Sequence, residues 1–163
     1  MTISVGDRLP EATLTRFGSK GPEAVKVSEL TTGKKVALFG LPGAFTRTCS
    51  AAHLPSFIRT AEQFRAKGID HVVCISVNDP FVMKAWDDAQ GASAAGVELL
   101  ADGVAELTKA MGLAFSAPAI GFVDRCKRFS AYVEDGVVKS LNYETAAGVC
   151  DLTAGETLLN QIG

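Results

Sequence analysis

The chain has 163 residues, 47% of them apolar, and a formal net charge of −2 at pH 7. These values predict a single globular domain, residues 1–163, and argue against a disordered chain or a partner such as nucleic acid or an anionic membrane. No apolar run approaches the length of a membrane span, and the first residues lack the basic and apolar regions of a signal peptide, so we expect a cytoplasmic protein.

The first 43 residues predict a strand pair and then a buried strand. Residues 13–15 and 25–27 are short β-type runs around a polar turn at 18–22. The strongly apolar residues 36–39 predict a buried strand over 35–40. Pro42 and Gly43 then end this strand and open a loop.

Cys49 lies at the start of the next predicted helix, in which apolar residues recur at helical spacing from 54 to 64. The first turn of a helix has free backbone N–H groups and a partial positive charge, and both favour a reactive thiolate. Thr46 and Thr48 place hydroxyl groups within a few residues of it. We therefore predict that Cys49 is a nucleophile.

The rest of this helix contains a proline and a glycine that affect its backbone, and one histidine. Pro55 lacks a backbone donor and is expected to kink the helix, and Gly68 is expected to close it in a left-handed conformation. His53, four residues after Cys49, either assists the thiol or makes an ordinary hydrogen bond. The proline-disturbed turn favours the ordinary hydrogen bond.

The middle of the chain predicts alternating strands and helices. Residues 72–77 form a central strand that buries Cys74, and 97–100 form another. Between them, Asp79 and Pro80 start a helix whose predicted apolar face is Phe81, Val82, Ala85 and Trp86, followed by a loop at 91–96. A short helix is predicted at 104–111. Residues 113–123 fit no element, and we assign their Phe115, Ile120 and Phe122 to the core rather than to a pocket.

The last quarter predicts a hairpin and a terminal helix. Two strand-like runs, 128–133 and 137–143, flank Asp135 and Gly136, which is a strong hairpin signal. Residues 145–151 form a polar loop that carries Cys150. Thr153 and Glu156 have the spacing of a capping box for the terminal helix.

The four cysteines, Cys49, Cys74, Cys126 and Cys150, have long and irregular spacings without a Cys-x-x-Cys pair. A zinc site usually needs paired ligands at short spacing, and a chain of this length does not need a disulfide scaffold. The cysteine pattern therefore leaves redox chemistry in a reducing compartment as the remaining interpretation.

Three motifs resemble one family. Pro42, Thr46 and Cys49 reproduce the Pro-x-x-x-Thr-x-x-Cys signature of peroxiredoxins. The longer run 42–50, together with 76–86 and 127–130, is similar to the type II, or peroxiredoxin-5-like, branch. Arg47 departs from the pattern, because this branch usually has proline there. With the order of elements, the resemblance implies an α/β thioredoxin-like fold, a central mixed β-sheet flanked by helices.

The resemblance also implies the reaction. Cys49 thiolate attacks a hydroperoxide and becomes a sulfenic acid. During this attack Thr46, the backbone N–H of Cys49 and Arg128 are the candidate donors to the charge that develops on the leaving oxygen. Pro42 is expected to shield the site, and Arg125 is a weaker candidate for the role of the arginine. No metal, haem, flavin or other cofactor is needed.

Recycling leaves two routes open. Some relatives resolve the sulfenic acid with a cysteine near the C-terminus, a position that Cys150 matches, whereas plant-type relatives use external thiols. Glutaredoxin with glutathione, or thioredoxin, is the expected reductant. The family often forms homodimers.

Three other classes of function compete with peroxide reduction. A thioredoxin-like thiol–disulfide exchanger is disfavoured because Cys-x-x-Cys is absent. A redox-switched binding protein would show no turnover with peroxide and a reductant. A cysteine hydrolase is weaker still, since only His53 and His71 could act as base.

Overall fold

The computed structural model describes residues 2–146 and 148–163. The strands are β1 Thr13–Gly18, β2 Gly21–Lys26, β3 Lys35–Gly40, β4 His71–Ser76, β5 Val97–Ala101, β6 Ala114–Ala117, β7 Phe122–Cys126, β8 Phe129–Glu134 and β9 Val137–Tyr143. The helices are α1 Val27–Thr31, α2 Leu54–Ala66, α3 Pro80–Gln90, α4 Ala92–Ala95, α5 Glu106–Ala110 and α6 Gly155–Gln161. No helix in these described ranges is long and apolar enough to cross a membrane.

The main sheet has seven strands in the order β2-β1-β5-β4-β3-β8-β9, and β6 pairs with β7 in a separate ribbon. The central strands β3, β4 and β5 are parallel, because a helix crosses over between them, and the outer pairs are antiparallel. The mixed sheet flanked by helices confirms the predicted thioredoxin-like fold.

The side chains of β3 alternate between two cores. Val36 and Leu38 face the cluster that includes residues of α1 and α5. Ala37 and Phe39 face the cluster built with α2, α3, α4 and α6. This alternation follows from the two-residue repeat of a strand, and burial on both faces explains why the sequence of β3 is continuously apolar.

The helix that carries Cys49 starts irregularly. Residues 47–48 are helical, Cys49–His53 form a π-helical turn, and α2 follows without a break. The Leu54 N–H reaches back to the Cys49 carbonyl, and the next residue, Pro55, has no N–H to continue the pattern. The predicted disturbance at Pro55 therefore takes the form of a π turn, and Cys49 lies in the first helical turn.

Several local predictions are confirmed. Gly68 has a φ of 87° at the end of α2. Asp79 caps α3 by accepting a hydrogen bond from the Val82 N–H at 2.8 Å. Asp135 and Gly136 have φ values of 49° and 80°, the left-handed pair of a type I′ hairpin turn.

Other local predictions are wrong. Residues 91–96 contain the short helix α4 rather than a loop. The buried residues of α3 are Met83 and Trp86, whereas Phe81 is 62% exposed and packs its ring on that of Phe17 at the surface. The capping box does not form, since the Thr153 hydroxyl donates to Glu144 and Glu156 pairs with Arg59 on α2.

Candidate active site

Cys49 and Arg128 meet in the interior of the protein. The side chain of Cys49 is fully buried, and its Sγ accepts a hydrogen bond from Arg128 Nη2 at 3.2 Å. The register of the sheet causes this encounter, because Gly40 at the end of β3 pairs with Phe129 at the start of β8. Arg128, one residue before Phe129, therefore lies beside the loop that leads to Cys49.

His53 holds the other side of the guanidinium. Its Nδ1 accepts a hydrogen bond from Arg128 Nη1 at 2.9 Å, which leaves Nε2 to donate to the Thr153 carbonyl at 3.0 Å. Burial, and then the positive charge of Arg128, lower the pKa of His53 from 6.5 to about 3. The imidazole is therefore neutral, and it orients Arg128 rather than giving the sulfur a second cation.

Thr46 is oriented by its own loop. Its hydroxyl donates to the Gly43 carbonyl at 2.7 Å, so the remaining capacity of this oxygen is to accept. The structure brings Thr46 to the same pocket as Pro42 and Arg128. Among the described residues, the Thr46 hydroxyl makes no hydrogen bond to the Cys49 sulfur.

Arg125 contacts the loop backbone. Its Nη1 donates to the Pro42 carbonyl at 3.0 Å, and its guanidinium lies 4.8 Å from the centre of the Phe122 ring. Arg128, rather than Arg125, is therefore the arginine that contacts the sulfur.

Two residues in the 76–86 motif support the site from outside. Asn78 Oδ1 accepts from the Ala44 N–H at 3.0 Å and from the Ser76 hydroxyl at 2.6 Å, which ties the loop to the end of β4. Trp86 Nε1 donates to the Ser50 hydroxyl at 3.0 Å, beside Cys49. Sequence reasoning noticed this motif only as a resemblance and missed its contacts with the site.

Cys150 lies in the loop before α6, next to the site. The Thr48 hydroxyl donates to the Gly148 carbonyl of this loop at 2.9 Å. Glu144 Oε2 holds the following segment by accepting from the backbone N–H groups of Asp151 and Thr153. Burial raises the pKa of the half-buried Cys150 thiol, so in this conformation Cys150 is a poor nucleophile.

The other cysteines are interior side chains. All four cysteines are free thiols. Burial raises the pKa of Cys74 well above its ordinary value and that of Cys126 to about 12. Cys74 is thus the buried core residue that the strand pattern predicts.

The site opens through a pocket of about 570 Å³. Its lining comprises Pro42, Phe45, Thr46, Arg47, Thr48, Ile120, Phe122, Arg128 and Gly148. Ile120 is 67% exposed, so the assignment of Ile120 and Phe122 to the core is wrong. The reason is that the β6–β7 ribbon stands outside the main sheet and presents these side chains to the pocket.

Comparison with known proteins finds one family model and several relatives that cover nearly the whole chain. The Redoxin family model matches residues 4–158. Chloroplastic peroxiredoxin-2E-2 of Oryza sativa is 47% identical over 161 residues, which cover 96% of this chain and 72% of the relative. Peroxiredoxin-2C of Arabidopsis thaliana is 40% identical over 161 residues, covering 98% of both chains.

Solved structures agree with these sequence relatives. The crystal structure of reduced Prx3 from Vibrio vulnificus in complex with H₂O₂ is 44% identical, with a TM-score of 0.93 over 99% of this chain and 100% of that one. Peroxiredoxin 5 from Alvinella pompejana is 26% identical, with a TM-score of 0.84 over 98% of this chain and 97% of that one.

Proposed function

The chain belongs to the peroxiredoxin family, in its type II branch, and is a thiol peroxidase; from this premise we propose that Cys49 is its peroxidatic nucleophile. The observation that carries the proposal is the contact of 3.2 Å between Arg128 Nη2 and the buried Cys49 sulfur. A guanidinium this close can donate to negative charge on the sulfur and on the oxygens that react with it.

The proposed reaction is a displacement at oxygen. The Cys49 thiolate attacks the terminal oxygen of a hydroperoxide, an S–O bond forms and the O–O bond breaks. The products are Cys49 sulfenic acid and an alkoxide or hydroxide, which takes a proton and leaves as an alcohol or water. Sulfur is oxidised by two electrons and the peroxide is reduced by two.

Arg128 and Thr46 have complementary parts in this step. The guanidinium stabilises first the thiolate and then the negative charge that develops on the oxygens. The Thr46 hydroxyl already donates to Gly43, so it accepts the O–H of the hydroperoxide and holds the terminal oxygen toward sulfur. The backbone N–H of Cys49, in the first helical turn, is a further donor, and the buried Pro42 keeps water from the sulfur.

We propose His53 as a positioning residue. Its two hydrogen bonds fix the guanidinium of Arg128 with respect to the Thr153 carbonyl. Because His53 remains neutral above about pH 3, it can accept from Arg128 over the whole working range of pH.

The sulfenic acid is then resolved by a thiol. We propose Cys150, on the C-terminal loop that touches Thr48, with external glutathione as the alternative. Attack by Cys150 requires the contacts of Glu144 with Asp151 and Thr153 to open. Glutaredoxin with glutathione, or thioredoxin, would restore the thiols.

Location and assembly stay predictions. Relatives include chloroplastic and mitochondrial peroxiredoxins, so the expected cytoplasmic location of this chain needs its own measurement. A homodimer is proposed on the family resemblance alone.

Peroxide consumption tests the proposed function. The protein should consume hydrogen peroxide or an alkyl hydroperoxide when supplied with thioredoxin or with glutaredoxin and glutathione, and Cys49→Ser should not. Reduction of insulin without peroxide turnover would instead identify a thiol–disulfide exchanger, and no turnover in either assay would leave a redox-switched binding protein.

A further inference from the structure

We propose that the mouth of the active-site pocket recognises the carboxylate of an amphipathic hydroperoxide, of the fatty-acid hydroperoxide class, and that Arg47 binds this carboxylate. The inference rests on the proposed function, because the hydroperoxide group must reach Cys49. It goes further by naming the chemistry of the rest of the substrate.

The size and lining of the pocket fit a large, mainly apolar molecule. Its volume of about 570 Å³ lies within the range of pockets that bind small organic ligands, about 300–1,000 Å³. Hydrogen peroxide is close in size to water, which occupies only about 30 Å³ in the liquid. Phe45, Ile120 and Phe122 supply apolar surface around the entrance, and Phe45 and Ile120 are 56% and 67% exposed.

The backbone of Phe45 is held in a strained conformation at the mouth of the pocket. Phe45 has a φ of 65°, the left-handed conformation that a bulky side chain rarely adopts. Such strain persists only where surrounding contacts impose it, here those that hold Ala44 and Thr46 on either side. This backbone places a large aromatic side chain, 56% exposed, at the mouth of the pocket.

Arg47 adds a positive charge at this apolar mouth. It is exposed, it lines the pocket, and it forms no ion pair with a carboxylate in residues 2–146 and 148–163. The lining holds a second arginine, Arg128, and no acidic side chain. Glu144, which lies in the adjoining pocket with Arg128, already accepts three hydrogen bonds from Asp151 and Thr153.

The two arginines therefore lie at different depths of the pocket and can bind different parts of one substrate. Arg128 lies at the buried end against Cys49, whereas Arg47 lies in the first helical turn at the solvent-exposed rim. A flexible fatty-acid hydroperoxide would place its O–O bond at Arg128, its hydrocarbon chain on the rings, and its carboxylate at Arg47. The proline that is usual at position 47 in the branch could not supply this charge.

The test compares linoleic acid hydroperoxide with its methyl ester, both below the concentrations at which they aggregate. The two substrates share the hydroperoxide and the chain and differ only in the negative charge. We expect kcat/KM of the wild type to favour the acid by about twofold to fivefold, the effect of one solvent-exposed ion pair, and the preference to fall at high salt. In Arg47→Gln the ratio should fall to about one.

Lys20→Gln is the matched control, because Lys20 is an exposed cation in the β1–β2 turn and does not line the pocket. It should keep the wild-type ratio. Equal ratios in the wild type and Arg47→Gln would overturn the proposal. So would a rise in the KM for glutathione with an unchanged acid-to-ester ratio, which would assign Arg47 to the reductant. If the wild type reduces neither substrate nor hydrogen peroxide, the proposed function itself fails.

Discussion

Replacement of Arg128 by methionine should slow the oxidation of Cys49 steeply. Methionine fills a similar buried volume and makes no hydrogen bond as a donor, so Arg128→Met removes the guanidinium with little loss of packing. The variant loses both the contact of Nη2 with the Cys49 sulfur and the contact of Nη1 with His53.

The magnitude follows from the geometry. Unit charges 3.2 Å apart attract by about 5 kcal/mol at an effective dielectric constant of about 20, which is an upper limit because water partly replaces a missing charge. Loss of one preorganised donor costs about 100-fold to 1,000-fold in rate, or about 3–4 kcal/mol. We therefore expect the second-order rate of Cys49 oxidation to fall by about 100-fold to 1,000-fold.

Stopped-flow fluorescence can measure this rate. Trp86 is the one tryptophan of the chain, and its indole donates to Ser50, the residue after Cys49. Arg59→Met is the matched control, since Arg59 forms an exposed ion pair with Glu156 on α6, and it should react like the wild type. A wild-type rate in Arg128→Met, with a slow Arg125→Met, would refute the assignment of Arg128.

Three further predictions concern the surroundings of the site. Between about pH 3 and 6.5 the unfolded chain binds a proton at His53 that the folded chain does not, so the free energy of unfolding should fall by about 2 kcal/mol from pH 7 to pH 5. Urea titrations should show this loss in the wild type and in the control His71→Gln, but not in His53→Gln. Equal pH dependence in all three proteins would contradict the prediction. Gly155→Ala should lower the free energy of unfolding by about 1–3 kcal/mol, because the added Cβ would lie 2.6 Å from the Ser56 carbonyl oxygen in the contact of α6 with α2; an unchanged urea midpoint would contradict that packing. Peptide mapping after peroxide treatment should find Cys49 linked to Cys150, whereas glutathionylation at equal rates in the wild type and Cys150→Ser would show that resolution is external.

Local sequence signals predicted the elements that position Cys49. The apolar run of β3, the loop opened at Pro42 and the helical spacing after Cys49 each depend on residues that are close together in the sequence. The same holds for the turn at Gly136 and for the cap at Asp79. In each case the physical cause, such as backbone sterics or a capping hydrogen bond, lies in neighbouring residues.

Long-range contacts account for most of what the sequence could not reveal. Thr153 has the spacing of a helix cap, but its hydroxyl binds Glu144 and its carbonyl binds His53. No rule for residues close in sequence predicts these partners, because they depend on where α6 packs. Phe81 was assigned to a buried face for the same reason, since its pairing with Phe17 on β1 is a tertiary contact.

The choice of Arg128 over Arg125 came from the family motif and not from hydrophobic periodicity. An arginine at the start of a strand usually carries a solvated charge, and only the resemblance favoured Arg128 over Arg125. The register of β3 with β8 gives the physical reason, because it brings the residue before Phe129 to the end of β3. Its catalytic role stays a prediction until the variants are measured.

The most direct test of the account is mass spectrometry of the protein after one equivalent of peroxide, with a reagent that traps sulfenic acids. The account predicts a trapped sulfenic acid at Cys49 within the first turnover, and none at the buried Cys74 and Cys126. Cys49→Ser should consume no peroxide. Oxidation that begins at another cysteine, or peroxide consumption by Cys49→Ser at the wild-type rate, would contradict the assignment of Cys49 as the nucleophile.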